Sequence, residues 1–231
     1  MKKTKLIISM LSGVILLSAC FWYYKSDPTS FPNDEQLVKE MTNHFSYVSN
    51  SEIQDTIFLD DRHVFVPFQA EEKLYGLSLW EWKNRKWNVV LVSTSGDIKV
   101  WKINSKDPST FHTVWNYPPQ KKVKYMKLYL INKRGFQISG AEEQYEPGVQ
   151  LEQKITLSEN PYGTMKLSKD WITVINSLTG SLTLPQYYFR WNAYDSLDKI
   201  TYPEVNDNGS SSWGGATQIE FAVFIEESEL E

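Results

Sequence analysis

The chain has one cysteine, Cys20, and only three histidines. A single thiol cannot close an intrachain disulfide, form a CxxC redox pair or build a thiolate zinc site. His44, His63 and His112 show no HxH or HxxxH spacing. They mark no ligand pair, so neither a metal nor a cofactor is expected. Walker loops and GxSxG elbows are also missing, which leaves no nucleotide cradle or hydrolase nucleophile to assign. Positive charge is not in excess: 24 Lys+Arg stand against 28 Asp+Glu, for a net charge of -4. That balance excludes a polycationic nucleic-acid binder. No repeat unit recurs, which sets aside solenoids and propellers. Long apolar runs are confined to the first residues of the chain.

Those first residues are the most informative. Lys2, Lys3 and Lys5 precede the apolar run from Leu6 to Leu17. A basic start before a short apolar core is the layout of a secretory signal. The run ends in Leu17-Ser18-Ala19-Cys20. This resembles the lipobox of bacterial lipoprotein precursors, in which an aliphatic residue and two small ones precede a cysteine. The resemblance covers the first twenty or so residues and does not reach the globular part. It implies cleavage between Ala19 and Cys20, diacylglycerol on the sulfur of Cys20, and a membrane partner reached through that lipid. The expected location is the outer face of the bacterial cytoplasmic membrane, in a Gram-positive-type envelope. Phe21-Trp22-Tyr23-Tyr24 follow the cysteine, and Trp and Tyr favour the headgroup depth of a bilayer. The alternative is an uncleaved membrane anchor from Leu6 to Tyr24. It is barely long enough to span and is weakened by Ser9, Ser12, Gly13 and Ser18. Either way the bulk of the chain lies outside the cytoplasm.

Cleavage removes three lysines and no acid, so Lys+Arg falls from 24 to 21 against 28 Asp+Glu and the net charge moves from -4 to -7. The richest basic stretch, Lys121 to Lys127, alternates like a strand with one solvated face, whose lysines can meet anionic headgroups or wall polymer. Aromatic content is high at 14%, with nine Trp and thirteen Tyr. Such residues anchor β cores and also form sugar-stacking platforms.

The pattern divides the chain into a signal peptide (1–19), a lipid anchor and tether (20–33), an α+β region (34–117) and a β-rich, sandwich-like region (118–231). Pro28 and Pro32 keep the tether extended, and it is expected to lift the domain off the membrane. Asn33 or Asp34 can cap a helix whose buried face is Leu37, Met41, Phe45 and Val48. Period-two alternation then places strands at 62–69, 74–82, 87–94 and 98–103. Pro67 points to an edge strand, and Lys83-Asn-Arg-Lys86 to a hairpin turn. Beyond Tyr117-Pro118-Pro119, strands are expected near 123–131, 150–157, 171–178, 186–194 and 217–226, joined by turn-rich loops over 158–163 and 206–215. The fold class is therefore α+β: one N-terminal helix on an antiparallel meander, followed by a mostly-β sandwich.

Candidate chemistry is thin. Ser196-Leu-Asp-Lys199 matches SxxK without its partner motifs. The acid pairs Asp60-Asp61, Glu71-Glu72, Glu142-Glu143 and Glu226-Glu227 fall at turns or strand ends, where acids are normally solvated. Asn206-Asp-Asn-Gly209 lacks the rest of a calcium loop. No catalytic residue is assigned. Trp115, Tyr117 and Trp213 are the candidates for ligand or partner contact, with burial as core plugs the competing expectation. The sequence points to a membrane-anchored binding or accessory module of the envelope, whose partner is an envelope protein, a wall polymer or a small ligand. The alternatives are an envelope glycan hydrolase using paired carboxylates and a structural spacer.

Overall fold

A computed structural model of the chain describes residues 10–16, 18, 26–70, 74–118, 123–139, 142–146, 148–157, 161–179, 187–201, 211–215 and 217–230. Ala19, Cys20, Asn206-Asp-Asn-Gly209 and Glu71-Glu72 lie outside them. Residues 10–16 are helical and expose Met10, Leu11, Val14, Ile15 and Leu16. Among the described residues, no helix is long and apolar enough to cross a membrane.

The globular part begins with helix α1 (Asp34–His44). Its start is set by a reciprocal cap: Asn33 accepts from the Gln36 backbone, and the Gln36 side chain accepts from the Asn33 backbone. This satisfies two amides that the helix itself leaves unpaired. The helix stops at His44, and a 3₁₀ turn, Ser46–Val48, carries the chain onward. Seven strands follow: β1 (Glu52–Ile53), β2 (Ile57–Asp60), β3 (His63–Ala70), β4 (Leu74–Lys83), β5 (Lys86–Ser93), β6 (Lys99–Lys102) and β7 (Phe111–Asn116). The chain continues through β8 (Tyr125–Asn132), β9 (Gly135–Ser139), β10 (Glu142–Glu146), β11 (Val149–Thr156) and β12 (Tyr162–Lys166). Helix α2 (Lys169–Thr179) and strands β13 (Tyr187–Tyr194), β14 (Ser212–Gly214), β15 (Ile219–Phe221) and β16 (Val223–Phe224) complete it. The architecture is α+β, with a minority of helix and a majority of antiparallel sheet.

Three of the sheets stack as layers. Sheet A runs β1-β3-β4-β5-β14 with β2 also on β3, sheet B runs β12-β7-β6-β15, and sheet C runs β11-β8-β13-β16; β9 and β10 form a separate hairpin. Leu37, Met41 and Val48 of the helical segment pack on Val64, Val66 and Phe68, which share one face of sheet A. The opposite face presents Phe65, Leu77, Leu79 and Leu91 to Trp101 and Val114 of sheet B. Val100, Phe111 and Trp115 point the other way, into a third core with Met126, Leu128, Leu130, Phe189 and Trp191 of sheet C. Sheet B is thus covered on both sides, and every residue of β7 is buried. A strand covered on both faces loses the polar alternation that marks a half-exposed one.

Asn116, at the end of β7, ties two layers together. Its Nδ2 lies 2.7 Å from Gln54 Oε1, 2.9 Å from Phe68 O and 2.6 Å from Gly76 O, three acceptors that share its two N–H groups. Gly96 passes so close to the Asn116 carbonyl that a Cβ would stand 1.6 Å from its oxygen, so only glycine fits there.

Several expectations change. The segment expected as a strand at 171–178 is helix α2. Ile172, Thr173, Val174 and Ile175 are β-branched and read as strand by propensity, yet Trp171 and Ile175, one helical turn apart, both bury in the third core. Pro67 is not on an edge, because β3 has neighbours on both sides. It is tolerated because it falls between the short stretches paired with β1 and β2, where only its carbonyl is used, by Gln54 N at 3.0 Å. The strand expected over 217–226 is two: β15 pairs with sheet B, then β16 joins sheet C in parallel. Thr217, Ile219, Phe221, Val223 and Ile225 alternate as if on one face of a single strand, but Phe221 and Val223 are exposed while Ile219 and Ile225 are buried, as is Ala222 between the two strands. The hairpin turn at Lys83–Lys86 is present, with Asn84 and Arg85 at φ 55 and 61. Two consecutive left-handed residues match the twist of the flanking strands.

Pairing crosses the boundary expected at Pro118. Strand β12 joins β7, β14 joins β5 and β15 joins β6. The described part of the tether, residues 26–33, is free of helix, and it lies on the domain. Arg62 Nη2 donates to Ser26 O at 2.8 Å, and Trp87 Nε1 donates to Thr29 O at 3.1 Å. The Phe31 ring meets Trp87, Phe58 and Trp80 edge-on, with centroids 4.9, 5.7 and 5.8 Å away.

Candidate binding face

The residues singled out from the sequence do not converge. Trp115 and Tyr117 are buried in the core between sheets B and C, where Tyr117 meets Trp191 edge-on. Trp213 is on a strand rather than in a free loop: it pairs with Val92, packs partly on the α1 core and stacks on His44 at 4.1 Å. His63 Nδ1 lies 2.8 Å from Asp60 Oδ1, and its ring meets Trp101 edge-on. His112 is buried on β7, where loss of solvent and the Lys166 charge lower its pKa to about 4. Among the described residues, no group of three or more His, Cys, Asp or Glu is placed to hold a metal ion.

The arrangement with chemical potential is the outward face of sheet C. Strand alternation sends Met126, Leu128 and Leu130 of β8 inward with Phe189, Trp191 and Ala193 of β13. The other parity therefore points out: Tyr125, Lys127, Tyr129 and Ile131 on β8; Tyr188, Arg190, Asn192 and Tyr194 on β13; Gln150, Glu152, Lys154 and Thr156 on β11. Register places them in rows. Lys127 stands between Asn192 and Lys154, and Tyr129 between Arg190 and Glu152.

The centre of this face is recessed and its margins are open. Tyr129 and Asn192 are 1% and 0% exposed, while Gln150, Glu152, Lys154 and Tyr188 are exposed. At the centre Tyr129 OH donates to Asn192 Oδ1 at 3.1 Å and lies 3.1 Å from Tyr194 OH. Burial, then the contact with Tyr194, raises the Tyr129 phenol far above its usual range, so it stays protonated and keeps donating. With Oδ1 taken, Asn192 Nδ2 has no acceptor among the described residues. A buried amide N–H without an acceptor costs about 1–3 kcal/mol.

Cations surround the recess. Lys127 Nζ lies 2.9 Å from Glu152 and 5.2 Å from the Tyr194 ring centroid. Its hydrogen bond to Glu152 holds its pKa above the ordinary lysine value, so it stays charged. Lys154 Nζ sits 3.8 Å over the Tyr125 ring, and the Arg190 guanidinium 5.3 Å from the Tyr188 ring. Tyr125 and Tyr194 stack at 4.8 Å. The rings hold the cations in place without neutralising them. Lys127, Lys154 and Arg190 stand against Glu152 on the strands of this face and Asp198 at its margin beside Tyr125, on a chain whose net charge is negative.

The sequence marked Lys127 through its basic alternating stretch. It did not mark Tyr129, Asn192 or Tyr194, because they meet only when β8 and β13 pair across many intervening residues. Comparison with protein-family models, with curated proteins and with solved structures finds no match for this chain.

Proposed function

We propose that the protein is an extracytoplasmic lipoprotein, anchored through a lipid on Cys20, that works by binding rather than catalysis. Its ligand is an anionic polymer of the cell wall, taken by the outward face of sheet C. The observation that carries this reading is the array of cations Lys127, Lys154 and Arg190, held by tyrosine rings around the buried Tyr129–Asn192–Tyr194 cluster. Phosphate or carboxylate oxygens along a chain can meet these cations together. The lipobox resemblance and the exposed apolar residues of 10–16 support the location.

Each half has its own test. Metabolic labelling with an alkyne fatty acid should tag the wild type, whereas Cys20→Ala should remain an untagged, uncleaved precursor. Equal size and equal labelling of the two proteins refutes the anchor. For the ligand, hydrogen exchange with purified anionic wall polymer should slow at the amides of β8, β11 and β13. Slowing elsewhere with no change on these strands removes the assignment of this face.

A further inference from the structure

We infer that the end of sheet A bearing the β4–β5 turn rests against the anionic headgroups of the membrane that holds the lipid. This places the domain on the bilayer surface rather than on a free tether, and it rests on the lipoprotein reading above. The segment that ought to act as a spacer is used up in packing. From Ser26 onward the chain is fixed to the domain by the Arg62–Ser26 and Trp87–Thr29 hydrogen bonds and by Phe31 against Trp80, Trp87 and Phe58. Cys20 and Ser26 are six residues apart, a reach of about 20 Å when fully extended. Phe21-Trp22-Tyr23-Tyr24 occupy most of that length, and such residues prefer the interface itself.

The docking point fixes which end faces the lipid. Arg62 O accepts from Trp82 N at 2.7 Å, so Ser26, held by Arg62, lies beside the last residues of β4. There the turn Lys83-Asn84-Arg85-Lys86 is fully exposed and carries three cations in four residues. Phe58, 55% exposed, lies at the same end against Phe31. Acids are also present: Asp60 is engaged with His63 and Glu81 with Lys83, while Asp27 and Asp61 are exposed. The cations project at the turn, and basic side chains close to a leaflet of negative surface potential are drawn to it. An exposed aromatic ring beside them suits the headgroup depth.

The test uses the lipidated full chain in phosphatidylglycerol-containing vesicles. Because lipid blocks the only native thiol, a cysteine introduced by Asp61→Cys or by Glu52→Cys is the sole site for a fluorophore. Asp61 adjoins Arg62, whereas Glu52 pairs with Gln69 at the opposite end of β3. A headgroup-labelled quencher should dim the Asp61→Cys label severalfold more than the Glu52→Cys label. Adding Lys83→Glu, Arg85→Glu and Lys86→Glu, all at exposed positions, should abolish most of that difference. Equal quenching of the two sites in protein that carries lipid overturns this inference and leaves the anchor intact. Protein that carries no lipid when labelled with an alkyne fatty acid overturns both.

Discussion

The two outermost sheets show opposite faces to the outside. Sheet A turns Val64, Val66 and Phe68 outward, and helix α1 covers them with Leu37 and Met41. Sheet C turns Tyr129, Lys127, Asn192 and Arg190 outward, on strands of the same length and with the same antiparallel pairing. The difference is one of residue type at alternate positions. Apolar alternates need a covering layer, whose removal from water stabilises the fold by about 25 cal/mol per Å². Polar and aromatic alternates hold themselves together by hydrogen bonds and ring–cation contacts, and need no covering layer. The first face serves stability; the second is the face proposed to bind.

That contrast can be broken most severely at Val66. Val66→Asp buries a carboxylate between sheet A and α1 and should cost more than about 4 kcal/mol, leaving little folded protein. Circular dichroism during urea unfolding measures it; a loss below about 1 kcal/mol would mean that α1 does not cover this face.

A smaller effect is expected from the sheet between the two faces. His112 has its pKa lowered to about 4 by burial and by Lys166, against 6.5 unfolded. Its stabilising contribution is complete above about pH 6.5 and is lost as the pH falls toward 4, because the unfolded chain takes up the proton first. The loss should approach about 2 kcal/mol, somewhat less than the full shift, since the ring is not wholly removed from solvent. Thermal melts from pH 7 to 4 should therefore fall more steeply for the wild type than for His112→Leu. Parallel curves would place the titration elsewhere.

The smallest effect on stability belongs to the outward face of sheet C. Lys127→Ala and Arg190→Ala should each change unfolding free energy by less than about 1 kcal/mol, since a partly exposed ion pair (Lys127–Glu152) and an exposed ring–cation contact (Arg190–Tyr188) contribute little. A loss as large as that at Val66 would make this face structural.

Much of the first contrast was legible in the sequence. The Asn33/Gln36 cap, the Leu37/Met41 spacing and the turn at Lys83–Lys86 are local signals, and local signals survive into the fold. Sheet B was not legible as a sheet. Its strands β6 and β7 are closed by β15 and β12 from far along the chain, and burial on both faces erases the alternation of β7. Helix α2 was hidden by β-branched residues whose propensity the Trp171–Ile175 packing overrides. The recess on sheet C was visible only as Lys127. Its tyrosines and Asn192 acquire meaning from register, which no single strand carries.

The account stands or falls on what that recess binds. Co-sedimentation of the protein with purified anionic wall polymer, at low and at physiological salt, tests it directly. The wild type should bind, more tightly at low salt. Lys127→Glu with Arg190→Glu should weaken binding on the order of tenfold or more, equivalent to about 1.4 kcal/mol, at an unchanged melting temperature. Equal binding by wild type and double variant, or no binding by the wild type at either salt, would contradict it.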